Sequence, residues 1–384
     1  MTDKNLFKKV LTHKAGNFLF SRKYDRDALA PLLIRAQIIY ESVASLPLLP
    51  EWSSRLESEM TRRSIYGTAA IEGNPLSEER VSEILAQVEP RGLLERSEQE
   101  AVNLQVAYGQ VFVLPGAGIR GVFDITEPYI QGLNETLTRG LGSAEHSPGG
   151  YRDHRVQVGD KTHGGAYTPP KAKVDITRLM AEFVAWLNSA EMLAEPTEVR
   201  AALAHYHLGL IHPFGDGNGR TARLLEASIL TRSGMRYAPK MLSNFYHRHL
   251  DEYFIAFRAT EKSTDGDLTP FLEFVLRGLL QSVEELQRNV HGFIRALAFQ
   301  AMADALRQTH AITQRQHDLL RLLAGNPKKA FTLKDLRTDP LFAPLYRRAS
   351  EQTARRDLKR LLEMEILVKD DAGYRFNRQL LGQP

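Results

Sequence analysis

The sequence contains no cysteine. Disulfides, thiolate metal sites and cysteine nucleophiles are therefore excluded, and a reducing compartment suits the chain. No apolar run approaches the roughly 20 residues of a membrane span. The start, Met1-Thr2-Asp3-Lys4-Asn5, leads into no long apolar core of the kind a signal peptide needs. A soluble cytoplasmic protein with no membrane partner is the expectation. Net charge is small as well: 50 basic residues face 46 acidic ones, a balance of +4. That does not describe a chain coated for nucleic acid, although it leaves room for a local basic patch. There is no internal repeat and no low-complexity tract. What remains is 384 residues, 43% hydrophobic and 25% charged, enough for two or three domains around a substantial core.

Most of that length has helical spacing. Leu32, Leu33, Ala36, Ile39, Tyr40 and Val43 recur on one face, and Pro47 and Pro50 end the pattern. Ser53–Ile71 predicts a second helix, stopped by Gly73-Asn74-Pro75, and Ser77-Glu78-Glu79-Arg80 begins a third. Gly116-Ala117-Gly118 separates this block from the next. Tyr151–Thr168 departs from the helical pattern. Val156-Gln157-Val158 and Ala166-Tyr167-Thr168 are short β-leaning pieces around a glycine-rich turn, which predicts a hairpin. Helices resume near Val174 and continue to about Thr309. The end of the chain predicts three short helices, capped by Thr313, Thr332 and Ser350, and then two strands around Asp370-Asp371-Ala372-Gly373. That order is a winged helix-turn-helix pattern.

One run concentrates the chemistry: His212-Pro213-Phe214-Gly215-Asp216-Gly217-Asn218-Gly219-Arg220-Thr221-Ala222-Arg223. Apolar segments flank it, so it reads as helix, glycine-rich loop, helix. The start of the second helix offers free N–H groups and the positive end of a dipole, which together favour an anion. Arg220 and Arg223 are three residues apart and can face one ligand. A polyphosphate beside a histidine base is the natural reading. His205, His207 and His212 could alternatively hold a metal, or the run could be a structural turn.

This run resembles the signature of the Fic (Fido) family, with every defining position present. The resemblance implies a mainly α-helical Fic fold with a small hairpin flap and, at the end, the winged helix. It divides the chain into an N-terminal helical region at 1–115, a catalytic core at 116–300 and a winged helix-turn-helix domain at 305–384. It implies a protein adenylyltransferase that moves AMP from Mg-ATP to a Ser, Thr or Tyr hydroxyl of a target protein and releases pyrophosphate. His212 would be the general base, a task that a neutral imidazole suits near pH 7. Asp216 would hold Mg2+. Asn218 and the amides of Gly217 and Gly219 would hold the α-phosphate, Arg220 the β-phosphate and Arg223 the γ-phosphate, with Thr221 and Ala222 in the same stretch. The relative Doc has a lysine in place of Gly219 and transfers phosphate instead, so Gly219 favours nucleotidyl transfer.

The resemblance extends upstream. Thr68, Glu72 and Gly73 resemble the inhibitory motif of the family, in which the glutamate occupies the second arginine, here Arg223. In some relatives that glutamate serves AMP removal, which makes a bifunctional enzyme an alternative. Val156, Gln157 and Val158 resemble the flap that docks a target as an added strand. Tyr253 resembles the aromatic placed against adenine. The implied partners are ATP, a target protein, the chain itself as a further target, and a second copy in a homodimer. Arg355, Arg356, Lys359 and Arg360 on the third C-terminal helix admit nucleic acid, and with it a DNA-binding regulator whose core senses nucleotide. The same helix is equally read as a solvated face or a protein contact.

Overall fold

The computed structural model describes residues 6–13, 16–86, 94–112, 124–141, 147–159, 161–325 and 329–381. The boundary expected at 116–118 lies outside them. The chain forms two compact units, residues 1–287 and 288–384.

The first unit begins with an antiparallel hairpin that the sequence did not announce. Strand β1 (Phe7–Thr12) pairs with β2 (Gly16–Ser21) in the register Phe7↔Ser21 to Thr12↔Gly16. Helix α1 (Arg26–Ala44) starts where the Asp25 carboxylate accepts the Ala28 N–H. Helix α2 (Pro50–Ile71) opens on a proline, whose missing N–H costs no helical bond at that position. It ends before Gly73, whose φ of +81° is the left-handed geometry that glycine tolerates best. Ser77 caps α3 (Glu78–Leu85), as its position predicted. There follow α4 (Arg96–Val111), α5 (Glu127–Thr138), α6 (Lys173–Leu187) and the single turn α7 (Ala190–Leu193).

The centre is the pair α8 (Thr197–Ile211) and α9 (Asn218–Arg232), buried over nearly every residue. A helix buried on all sides belongs to the middle of a helical fold. Leu224 and Ala227 of α9 pack with Ile65 and Ala69 of α2, Leu104 and Tyr108 of α4 and Leu133 of α5. Each such leucine contributes about 1.5–3 kcal/mol by burial. Helices α10 (Leu242–Arg248), α11 (Leu250–Glu261) and α12 (Thr269–Gln308) follow.

Helix α2 is fastened to its neighbours over its whole length. Ser53 bonds the Tyr237 hydroxyl at 3.2 Å, Ser64 donates to the Lys240 carbonyl at 2.7 Å, and Thr68 meets the Tyr108 hydroxyl at 2.8 Å. At Gly67 the α10 backbone comes so close that a Cβ would stand 2.8 Å from the Ser243 oxygen.

The second unit has its own core, with Phe299, Leu319, Phe331, Leu358 and Phe376 among its buried members. Helix α13 (Gln314–Gly325) starts at Thr313, whose hydroxyl accepts the Gln316 N–H at 3.3 Å. The turns α14 (Asp335–Thr338) and α15 (Ala343–Tyr346) precede α16 (Glu351–Glu363), capped by Ser350. Strands β3 (Leu367–Asp370) and β4 (Gly373–Phe376) then form an antiparallel hairpin, and Phe331 bridges to Tyr374. Among the described residues no helix is long and apolar enough to cross a membrane.

Candidate active site

Helix α8 stops at His212 because that residue turns left-handed, with φ 49° and ψ 58°. A non-glycine residue there carries about 1–3 kcal/mol of strain, so the surroundings must hold it. They do so through Arg152, a buried side chain that no sequence pattern marks. Its Nε donates to the His212 carbonyl, its Nη1 to the His154 carbonyl and its Nη2 to the Pro170 carbonyl, each at 2.7 Å. Its backbone N–H donates to the Pro213 carbonyl at 2.9 Å.

The His212 ring has a defined face. Its Nδ1 lies 3.3 Å from the Gly209 carbonyl oxygen. A carbonyl only accepts, so Nδ1 carries the proton and Nε2 keeps its lone pair in the neutral ring. Burial pushes the imidazole down to about 4, helped by the Arg152 charge and opposed by Glu72 and Asp216. At neutral pH the ring is an uncharged base.

The loop closes on itself through Asn218. The Phe214 N–H donates to its Oδ1 at 2.9 Å, and its Nδ2 donates to the Phe214 carbonyl at 2.8 Å. The amide side chain assigned to phosphate by resemblance is thus bonded to the loop backbone. Gly217 is left-handed, φ +75°, and a Cβ there would press on Thr138 and Asn134. Asn134, also unforeseen, braces the same turn: it donates to the Asp216 carbonyl at 2.9 Å and to the Thr221 hydroxyl at 3.2 Å. Thr221 and Ala222 are buried, the former donating to the Gly217 carbonyl at 2.8 Å. The first-turn N–H groups of Asn218, Gly219 and Arg220 have no intrahelical acceptor, by helix geometry.

Asp216 Oδ1 accepts from Arg220 at 2.7 Å and from the Gly217 N–H at 2.5 Å, while Oδ2 faces Arg96 at 3.3 Å. Its side chain stays 31% exposed, so a ligand can still reach it. Among the described residues no group of three or more His, Asp or Glu side chains could hold a metal. His205 contacts Glu226 and Tyr253, and His207 contacts the Ser21 backbone, so neither joins His212 around an ion. A single accessible carboxylate fits a hard cation that brings phosphate and water as its other ligands, which is how Mg2+ is usually held.

Glu72, the residue capping α2, reaches across to α9. Its Oε1 accepts from Arg223 Nη2 at 2.7 Å, and the Thr68 carbonyl accepts from the same nitrogen at 3.3 Å. Arg223 is fully buried; burial works against its charge, but Glu72, with Tyr253 and Tyr108, holds the guanidinium above its usual value. Burial likewise disfavours the Glu72 carboxylate, yet Arg223, Arg220 and His212 together hold it below the ordinary range. The carboxylate lies directly over Gly219, where any Cβ would collide with Oε1. The structure thus brings Thr68, Glu72, His212, Asp216, Gly217, Gly219, Arg220 and Arg223 to one place.

Two other groups sit differently. The Tyr253 hydroxyl contacts His205 Nε2 at 2.9 Å, and its ring is buried against Tyr246, Phe271 and Phe274. Among the described residues between Val156 and Thr168, pairing is confined to Val158 and Tyr167, which exchange bonds of 2.9 and 2.7 Å; Val156 and Gln157 lie in irregular backbone before them.

Residues 124–230 match the model of the Fic/DOC family. The protein adenylyltransferase Fic of Drosophila ananassae is 32% identical over 259 residues, covering 65% of this chain and 44% of that protein. The one from Aedes aegypti is 32% identical over 225 residues, covering 58% and 40%. The chain spans less than half the length of these curated relatives. Among solved structures, Fic-1 (residues 134–508) of C. elegans superposes with a TM-score of 0.53 at 26% identity, covering 67% of this chain and 72% of that one. A Fic family protein from Desulfovibrio desulfuricans G20 gives a TM-score of 0.55 at 23% identity over 91% of this chain and 95% of the other, a likeness of fold. The stretch that brings His212, Asp216, Gly219 and Arg223 together therefore lies within the residues, 124–230, that match the Fic/DOC family model.

Proposed function

We propose that the chain is a protein adenylyltransferase: it transfers AMP from Mg-ATP to a Ser, Thr or Tyr hydroxyl of a target protein and is restrained by its own Glu72. One observation carries this reading. A neutral histidine whose Nε2 keeps its lone pair stands beside a glycine-lined helix N-terminus whose second arginine is already taken by a carboxylate.

In the step proposed, the target oxygen attacks the α-phosphorus of ATP. The bond from that phosphorus to the bridging oxygen breaks, and pyrophosphate leaves with the electron pair. His212 Nε2 takes the hydroxyl proton. The N–H groups of Gly219 and its neighbours face the phosphate charge, Arg220 and Arg223 hold the β- and γ-phosphates, and Asn218 keeps the loop in shape. Asp216 is the residue that would hold Mg2+, which when bound neutralises phosphate oxygens. Glu72 opposes all this by occupying Arg223 and placing a negative charge where a phosphate must go. The Val156–Val158 segment is our candidate for docking the target backbone.

With ATP labelled at the α-phosphate, Glu72→Gly should raise incorporation into protein, and the added substitution His212→Ala should abolish it. Label that persists without His212 contradicts the mechanism.

A second reading concerns residues 288–384, where α13 to β4 have the order of a winged helix. This unit carries 18 basic against 10 acidic residues, a charge of +8 in a chain of net +4. Arg355, Arg356, Lys359 and Arg360 are exposed on α16. That asymmetry favours contact with nucleic acid phosphates. A mobility shift that weakens steeply with salt supports it; no shift at low salt excludes it.

A further inference from the structure

We propose that Arg152 is a positioning residue for His212: its planar fork, buried without a carboxylate partner, locks the left-handed turn that aims the imidazole and ties that turn to the segment where a target would dock. The inference rests on the reading of His212 as the base for AMP transfer.

Arg152 is 3% exposed, and among the described residues no acidic side chain pairs with it. Burying an unpaired cation is costly, and burial accordingly lowers the Arg152 pKa from its usual value. A fold that needed only packing here would place a neutral side chain. What the guanidinium provides is directed donation: each of its three nitrogens donates to a main-chain carbonyl, those of His212, His154 and Pro170. The His212 and Pro213 carbonyls emerge where α8 has ended, and Arg152 satisfies both, through Nε and its own N–H. His154 and Pro170 lie on the two arms of the segment that closes at Val158 and Tyr167. Tyr167 adds a second strap from that segment, its hydroxyl donating to the Leu210 carbonyl at 3.1 Å. A shift of either arm is thus transmitted to the last turn of α8. A lysine would supply the charge without the fork.

The charged groups facing the imidazole are Arg152 from this segment, Glu72 from α2 and Asp216 from the loop. Arg152 disfavours a protonated ring, and the two carboxylates favour one.

The test uses full-length protein in a Glu72→Gly background, with Arg152→Gln and Arg152→Lys. The readouts are self-labelling from α-labelled ATP and 15N NMR of the His212 ring. Both variants should lower the rate by about 100-fold, as a misplacement near 1 Å does. The KM for ATP should stay within about twofold, since Arg152 makes none of the contacts of the phosphate cradle. In Arg152→Gln the ring should lose its single Nδ1–H tautomer and titrate at higher pH. In Arg152→Lys the titration should stay near the parent value. Parent-like rates, a rise in KM matching the loss of rate, or ring resonances unchanged in Arg152→Gln would overturn the proposal. Should the parent transfer no AMP, the enzymatic reading fails by itself, and the ring resonances still decide the role of Arg152. Should both variants fail to fold, the unsubstituted protein decides: an Nε2–H tautomer at His212 overturns the proposal, and Nδ1–H supports it.

Discussion

Replacing Glu72 by glutamine removes one charge and almost no volume, and it should push nucleotide affinity and stability in opposite directions. On the function proposed, ATP must displace a charge-assisted bond of 2.7 Å to a buried arginine in the unsubstituted protein. Such bonds contribute about 1.5–3 kcal/mol and neutral ones about 0.5–1.5, so the amide competes for Arg223 less well by about 1–2 kcal/mol. A difference of that size is about 5- to 30-fold in an equilibrium constant. Calorimetry with an ATP analogue that resists cleavage at the α-phosphate should therefore show binding tightened by that factor. The affinity for AMP, which lacks the phosphates assigned to Arg223, should not move. Without nucleotide the variant should be less stable, toward the lower end of about 1–2 kcal/mol because the Glu72 side chain is 33% exposed. For a unit of this size that is a fall in Tm of about 2–4 °C. Unchanged or weaker binding of the analogue, or equal tightening for AMP, refutes the competition for Arg223.

Asn218→Ala should cost about 2–4 kcal/mol, since it strands the buried N–H and carbonyl of Phe214; urea unfolding measures it, and a loss under 1 kcal/mol contradicts the bracing role. Gly67→Ala should destabilise by about 1–3 kcal/mol through overpacking against α10, seen as a lower Tm, whereas an unchanged Tm means that the helices yield freely. His207 and His212 are both pushed by burial to about 4, below their ordinary 6.5. The unfolded chain thus binds more protons between those values, so stability is full above about pH 6.5 and is lost as pH falls through about 4. Melting curves across that range should show the decline, and His212→Asn, which tolerates the left-handed turn, should make it shallower.

The parts of the fold that were legible in the sequence are those fixed by local chemistry. Ser77 and Ser350 cap the helices that their spacing indicated, and Gly73 takes the left-handed turn that ends α2. The loop from His212 to Arg223 was legible for the same reason: its glycines, its histidine and the start of α9 are neighbours in the chain. Long-range contacts were not. Arg152 reaches His212 across 60 positions and Asn134 reaches Asp216 across 82, and no periodicity marks a lone polar residue for such a task. The β1–β2 hairpin escaped because its tip carries no Asn-Gly or Asp-Gly signal and its strands are only 6 residues long. For Asn218 the residue was evident but not the direction of its amide, which only the folded loop decides.

The central claim is that Glu72 restrains a His212-dependent transfer of AMP, and incorporation of label from α-labelled ATP tests it most directly. The account predicts weak labelling of the unsubstituted protein, strong labelling with Glu72→Gly, and none when His212→Ala is added. Equal labelling in all three, or label supplied only by γ-labelled ATP, would contradict it.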